Sequence, residues 1–358
     1  MWSWWVVAAS DGHKRKRLRA LDDNSTPRLG QGGSGRHKFL LRGARTSRAQ
    51  NQDLFAEWRN LIVKCWNGRP IYAGFITDWE WEAANGVINV ETVEFRAILR
   101  RRLLFPIGGF GFGELVCVGQ SRRGIMYKIL ARTTKGAYSE VWDLLNVLPA
   151  VEEAGGESLT IPAFRYMTAE QALADQEKIA GDVYFEPRWS STGRLELLTR
   201  IAPDSTPRLT GAVIQLAKSA LVPSAIDLKL ASSGAKMRTG TFALGDGSEQ
   251  DRPMRDSATD SEYGGIPSLD VAESFGKVED PGELQIYADK AVETYRDPTK
   301  QYELSAFASK VMPGIQLGSP VNVYTSGDEM IAPGWINLRC IGHTSTTKRR
   351  VALEVQAA

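Results

Sequence analysis

The chain is poor in the residues that do most covalent and metal chemistry. It has three cysteines, Cys65, Cys117 and Cys340, far apart and without a C-x-x-C pair. That argues against a disulfide framework and a thiolate zinc site, and suits folding in a reducing cytoplasm. It has three histidines, His13, His37 and His343, and none stands in a metal spacing such as H-E-x-x-H. There is no P-loop. Gly119-Gln120-Ser121-Arg122-Arg123 fails the G-x-S-x-G pattern at its last position. Gly109-Phe110-Gly111-Phe112-Gly113 lacks the G-x-G-x-x-G spacing and has no βαβ unit around it, so a hinge is expected there rather than a nucleotide site. No apolar run reaches transmembrane length. Residues 1–9 are apolar, but the basic cluster follows them instead of preceding them, so they are expected to form a first strand and not an export signal. No catalytic, cofactor-binding or metal-binding residue is expected, and no membrane insertion.

What is present describes a protein of surfaces. Hydrophobic residues make up 42% and charged residues 24%, a soluble globular balance. At 358 residues the chain exceeds one ordinary core, so two or three domains are expected. Ten Trp is a high count, useful in cores and interfaces alike. Net charge is +2, but residues 1–50 carry a local +8 and the remainder −6. Nucleic-acid binding is one reading of the basic end. A solvated or partner-facing surface is the other, and the preferred one.

Periodicity gives strands at Trp2–Ala8, Lys14–Leu21, Lys38–Arg42 and Asn60–Trp66, with Arg15, Arg17 and Arg19 on one side of the second. Ser25–Gly35 reads as a loop. A long hairpin follows. Ile71, Ala73, Phe75, Thr77, Trp79 and Trp81 share one face by strict alternation, and Asn85-Gly86 turns the chain into Val87–Phe95. A basic helix over Glu94–Arg102 ends before Pro106. Glu114–Ala131 reads as two strands about a turn at Arg122-Arg123-Gly124, and Tyr138–Leu148 as helix. Thr168 and Gln171 form a capping box for a helix that stops at Gly181. Val183–Glu186 and Arg194–Thr199 form a hairpin. Strands are expected at Thr210–Leu216 and Ala225–Leu230. Asp246–Glu283, with eleven acidic and three basic residues, reads as loop. Asp280-Pro281 opens a helix whose apolar stripe is Leu284, Tyr287, Ala288, Ala291, Val292 and Tyr295. Strands at Tyr302–Ala308, Pro320–Tyr324, Gly334–Gly342 and Arg350–Val355 complete the chain.

Two clusters invite a chemical reading. Asp78, Glu80 and Glu82 lie along one strand face. A glycosidase needs two carboxyl groups across a cleft, whereas this row suits the wet face of a hairpin. Arg100-Arg101-Arg102 could meet phosphate, but a helix carboxyl end or an interface is the better use.

Four stretches, taken in order, resemble the minor tail proteins of long-tailed phages of actinobacteria, relatives of tail-tip and baseplate hubs. They are Asn67-Gly68-Arg69-Pro70-Ile71-Tyr72-Ala73-Gly74-Phe75-Ile76 with the later Arg102–Pro106, then Val183–Trp189 with Gly193–Leu197. Pro267-Ser268-Leu269-Asp270 with the helix from Leu284 is third, and Gly314–Val323 with Gly334-Trp335-Ile336 and Arg339–Gly342 is fourth. Ser319 departs from the acidic residue of that last pattern. The resemblance implies an α+β, β-rich fold with two β-barrel-like hub domains, 1–107 and 209–358, and an α/β insertion domain, 108–208. It implies a homotrimeric hub ring at the tail tip of the virion, assembled in the host cytoplasm. The ring closes the distal end of the tail tube and binds the distal tail protein, the tape-measure protein and other minor tail proteins. DNA passes through its channel without specific binding. Residues 246–283 would be a loop-rich acidic segment, and no appended domain is expected after Ala358. A tail adhesin or cell-wall-binding protein is the alternative, and a peptidoglycan hydrolase a more distant one.

Overall fold

The computed structural model describes all residues except 31, 43–45, 106–113, 136–144, 150–152, 222, 248–250, 259–264, 276–277, 279 and 358, with only the backbone at 179, 180 and 283. The expected hinge at Gly108–Gly113 and residues 138–144 of the expected helix lie outside the described residues.

Four strands, β1 (Trp2–Ala8), β2 (Lys14–Leu18), β3 (Ala20–Thr26) and β4 (Ser34–Leu40), precede a short helix, α1 (Arg48–Leu54). Next come β5 (Asn60–Trp66), β6 (Arg69–Glu82), β7 (Val87–Val93) and α2 (Arg96–Leu99). A mixed stretch holds β8 (Leu115–Gln120), α3 (Arg122–Thr134), β9 (Asn146–Val147), β10 (Glu157–Ile161), α4 (Ala169–Ala180), β11 (Val183–Trp189) and β12 (Leu195–Ile201). After β13 (Ile214–Ala217) and β14 (Ala225–Ser233) come β15 (Gly240–Leu244), β16 (Met254–Ala258), β17 (Asp270–Ser274) and α5 (Pro281–Tyr295). The last elements are β18 (Thr299–Phe307), α6 (Ala308–Val311), β19 (Pro320–Thr325), β20 (Gly334–Ser345) and β21 (Arg350–Ala357). The fold is β-rich with few helices, as expected of an α+β chain.

Two compact units divide the chain. One is built mainly from residues 1–228 and 303–356, the other from 229–302. In the first, one sheet of thirteen strands runs β14-β18-β21-β20-β3-β4-β7-β6-β5-β1-β2, with β19 pairing both β13 and β20. Its middle is buried on both faces, which is why β5 reads as a nearly continuous apolar run. Leu61, Val63 and Cys65 of β5 enter one cluster with Met126 and Leu130 of α3, Leu173 of α4 and Phe185 of β11. Ile62 enters the other, with Phe39, Phe55, Ile76, Ile88 and Val90. The Arg96 guanidinium ties α2 to α4. It donates through Nε to Glu170 at 3.0 Å and through Nη1 and Nη2 to Glu177 at 2.7 and 2.6 Å, the charge-assisted fork that arginine makes best. In the second unit, β15 pairs with β16 and β17, and α5 buries Leu284 and Ala288 against Ala243.

Several local expectations fail for identifiable reasons. The strand read over Lys14–Leu21 breaks at Arg19, where β2 ends and β3 begins, and the loop read over Ser25–Gly35 is strand at both ends. Beyond Gln120 the chain is helix, not a second strand. Ser121 caps α3 by accepting from Gly124 N at 2.9 Å. The glycine that suggested a turn is there for space, since a Cβ would stand 2.6 Å from Glu153 O. Asn146–Val147 is a strand parallel to β12 rather than the end of a helix. The acidic segment contains β16 and β17, which pair with β15 through every residue of both strands.

Candidate functional site

The most concentrated chemistry lies between strands. His37 Nδ1 on β4 is 2.6 Å from Asp23 Oδ1 on β3, and His37 Nε2 is 2.9 Å from Thr92 Oγ1 on β7. Tyr72 hydroxyl extends the row to Thr92 at 2.8 Å. Trp4 Nε1 also donates to Asp23, at 2.9 Å. Lys64, from β5, donates to Asp23 Oδ2, to Ser345 O and Oγ at 2.8 and 2.9 Å, and to Thr346 O at 3.3 Å. Trp2 lies 4.5 Å from the ammonium. Burial alone would raise the Asp23 carboxyl, but the His37 hydrogen bond and the Lys64 charge outweigh it and hold its pKa at about 2. Burial pulls Lys64 down to about 8 against the pull of Asp23.

An Asp–His–hydroxyl row has the connectivity of a nucleophilic triad. Access decides against that use. Asp23, His37, Lys64, Thr92 and Tyr72 are each no more than 2% exposed, so no substrate meets the hydroxyl without opening the sheet. The row acts as a polar staple: it satisfies buried groups and fixes β3, β4, β5 and β7 against the end of β20.

A second junction gathers parts of three of the four stretches singled out above. Glu186 of β11 receives Arg69 Nη2 at 3.3 Å, Gln316 Nε2 at 3.1 Å and, as an ion pair, Arg200 at 3.4 Å. Arg69 also donates to Pro313 O and Ile315 O at 3.0 and 3.1 Å. Nearby, Asp182 accepts from Arg339 and from Leu209 N. Residues from 67–76, 183–189 and 314–323, distant in sequence, therefore meet in one ionic knot at Glu186, and Arg339 makes a separate pair with Asp182.

The carboxylates of β6 do not assemble a hydrolytic pair. Glu82 accepts from Asn89 at 2.7 Å, Asn85 at 3.1 Å and Lys38 at 3.2 Å, which together hold it at about 2. A carboxyl so acidic cannot donate a proton near neutrality. Asp78 and Glu80 lie exposed on the sheet. Of the basic groups, Arg15 pairs with Asp53 at 2.6 Å, Lys14 lies 4.0 Å over the Trp189 ring, and Arg101 stacks 4.6 Å over Trp58.

The feature that strict alternation missed is an aromatic cleft. Between Ile76 and Asp78 the β6–β7 register slips, so Thr77 is an extra residue. The bulge reverses the facing of everything after it. Trp79 and Trp81 leave the face of Phe75 and join that of Ile76, opposite Val90 and Ile88. There they line a cleft of about 590 Å³ with Leu41, Phe55, Ile88 and, from α1, Arg48, Asn51 and Gln52. The adjacent apolar residues Phe75 and Ile76 stand directly before the point where the alternation breaks.

No protein-family model and no curated protein matches this sequence. Solved structures do. A tail protein from Neisseria meningitidis aligns over 99% of this chain and 96% of its own, with a TM-score of 0.62 and 13% identity. The 43 kDa tail protein of prophage MuSo2 from Shewanella oneidensis aligns over 99% and 98%, with a TM-score of 0.62 and 12% identity. A prophage tail protein from Listeria monocytogenes aligns over 98% and 94%, with a TM-score of 0.52 and 10% identity. The chain has, nearly end to end, the fold of phage tail proteins.

Proposed function

We propose that this chain is a structural subunit of a phage tail tip, a hub that forms a ring of three copies closing the distal end of the tail tube. The observation that carries the reading is the likeness to tail proteins over almost the whole of both chains. The internal ties fit a part that bears load rather than turns over substrate, since polar side chains are spent on joining strands. The ring would meet the distal tail protein, the tape-measure protein and other minor tail proteins, and DNA would pass without specific binding. The host group, actinobacteria, rests on the sequence resemblance. So does the assignment of 1–107 and 209–358 to two barrel-like domains around an insertion at 108–208. The compact unit 229–302 would add a second decoration within the last of these.

Imaging of assembled tail tips, with the mass of the purified protein, tests the reading. Three copies around a channel at the end of the tube are expected. A single copy on the periphery of the tip would overturn the hub and favour a tail adhesin. Zymography on peptidoglycan should show no clearing, in keeping with a protein that is not an enzyme.

A further inference from the structure

We propose that the cleft between α1 and the β6–β7 hairpin is an oligosaccharide-binding site. The inference stands on the cleft alone and does not depend on the hub reading.

Three observations converge. The first is shape: the cleft is concave, of about 590 Å³, a volume suited to a small ligand. The second is the aromatic surface. Trp79 and Trp81 are 38% and 46% exposed, although the residues that face them across the sheet, Val90 and Ile88, are buried. Two residues apart on a strand, their Cα atoms stand about 7 Å from each other, the scale of neighbouring rings in a glycan. The third is a set of unused polar groups. Neither indole N–H has a hydrogen-bond partner among the described residues, and the same holds for the Arg48 and Gln52 side chains. Asn51 uses its Oδ1, which accepts from Thr46 at 2.7 Å, and leaves its amide N–H groups open.

The chemistry selects among ligands. A sugar ring offers an apolar C–H face and a girdle of hydroxyls. The indole faces fit the first, and the amides, guanidinium and indole N–H groups fit the second. A purely apolar partner would leave those donors unpaired. A nucleic-acid strand would need several cations along its phosphates, and among the described residues that line this cleft Arg48 is the one cation. Along β7 an extended peptide finds no free edge, since β4 pairs with it from Val87 to Val93, and β6 is paired with β5 as far as Phe75. The ligand that these groups fit together is an oligosaccharide of at least two rings, laid along Trp79 and Trp81.

The test is calorimetric titration of the full chain with chitotetraose, cellotetraose, mannotetraose and arabinotetraose. At least one should bind in the micromolar to millimolar range. Trp79→Ala and Trp81→Ala should each weaken it at least tenfold, with Trp79→Phe retaining part of the affinity. Trp335→Ala, an exposed tryptophan outside the cleft, should leave it unchanged. Thermal midpoints of the variants distinguish a lost site from a lost fold. Absence of binding by all four sugars overturns the proposal, as does binding indifferent to both alanine variants. So does a finding that the alanine variants abolish self-association while no sugar binds, which would make the cleft a contact between copies. Failure to bind any sugar leaves the copy number at the tail tip unaltered, so this proposal and the hub reading fail separately.

Discussion

A lysine sealed inside a sheet keeps its charge only when its protons have acceptors. Lys64 has four acceptor atoms in reach, on Asp23, Ser345 and Thr346. Its replacement by methionine leaves Asp23 buried with its main counter-charge gone. Lys64→Met should therefore destabilise the protein by roughly 3–5 kcal/mol, and adding Asp23→Asn should recover part of the loss. Urea denaturation of the two single variants and the double variant checks this. Glu94 makes a different prediction. Burial raises its carboxyl to about 7, against the backbone N–H groups of Gly33 and Arg28 and the Tyr184 hydroxyl that favour the charged form. Between the unfolded value of 4.5 and about 7, the folded protein holds a proton that the unfolded chain has released. Stability from this group is thus present below the lower value and lost as pH rises through the upper one. Glu94→Gln should gain on the parent as pH rises, and thermal midpoints at pH 5 and pH 8 should show the gap shifting in favour of the variant.

Among elements, those with local signals were legible. The helix α4 is announced by Thr168 and Gln171, whose reciprocal cap forms, and it ends at Gly181. Gly181 has φ +101°, and a Cβ would stand 2.1 Å from Pro207 O. Gly181→Ala should cost on the order of 2 kcal/mol or more, from strain and collision together, read as a fall in the denaturant midpoint. Strands β1 and β5 were likewise plain from their apolar runs, and α5 from Asp280-Pro281 and its stripe. What was illegible depended on distant partners. In α3, Ile125 and Ile129 face one cluster and Met126 and Leu130 another. Apolar residues on two sides blur the helical period, and Gly124 looks like a turn until Glu153 is seen beside it. The bulge at Thr77 is set by pairing with β7, which no window along β6 contains. The aromatic cleft depends on that bulge and was missed with it. The ionic knot at Glu186 was invisible for the same reason, although the stretches that form it could each be named.

For the whole molecule, the sheet order matters more than any single strand. Strand β20 is joined to β3 through Ser345 opposite Ser25, and Arg28 bridges Gly342. The Arg28 guanidinium reaches Glu354 on β21. The first and last parts of the chain thus share one sheet. Such long-range pairing is costly to close and slow to form, but it ties strands from the two ends of the chain to one another.

The lodging of Lys64 against Ser345 also sets an order of events during synthesis. The ammonium has its full set of acceptors only when residues 345 and 346 have been made and have reached the sheet. Until then the nascent chain carries a lysine beside the core with part of its coordination missing, and that half of the sheet stays provisional. A chain that ends before this point lacks three of the four acceptor atoms that hold Lys64. A chain cut short of Ser345 is therefore expected to be less stable than the full one, and less fit to enter an assembly.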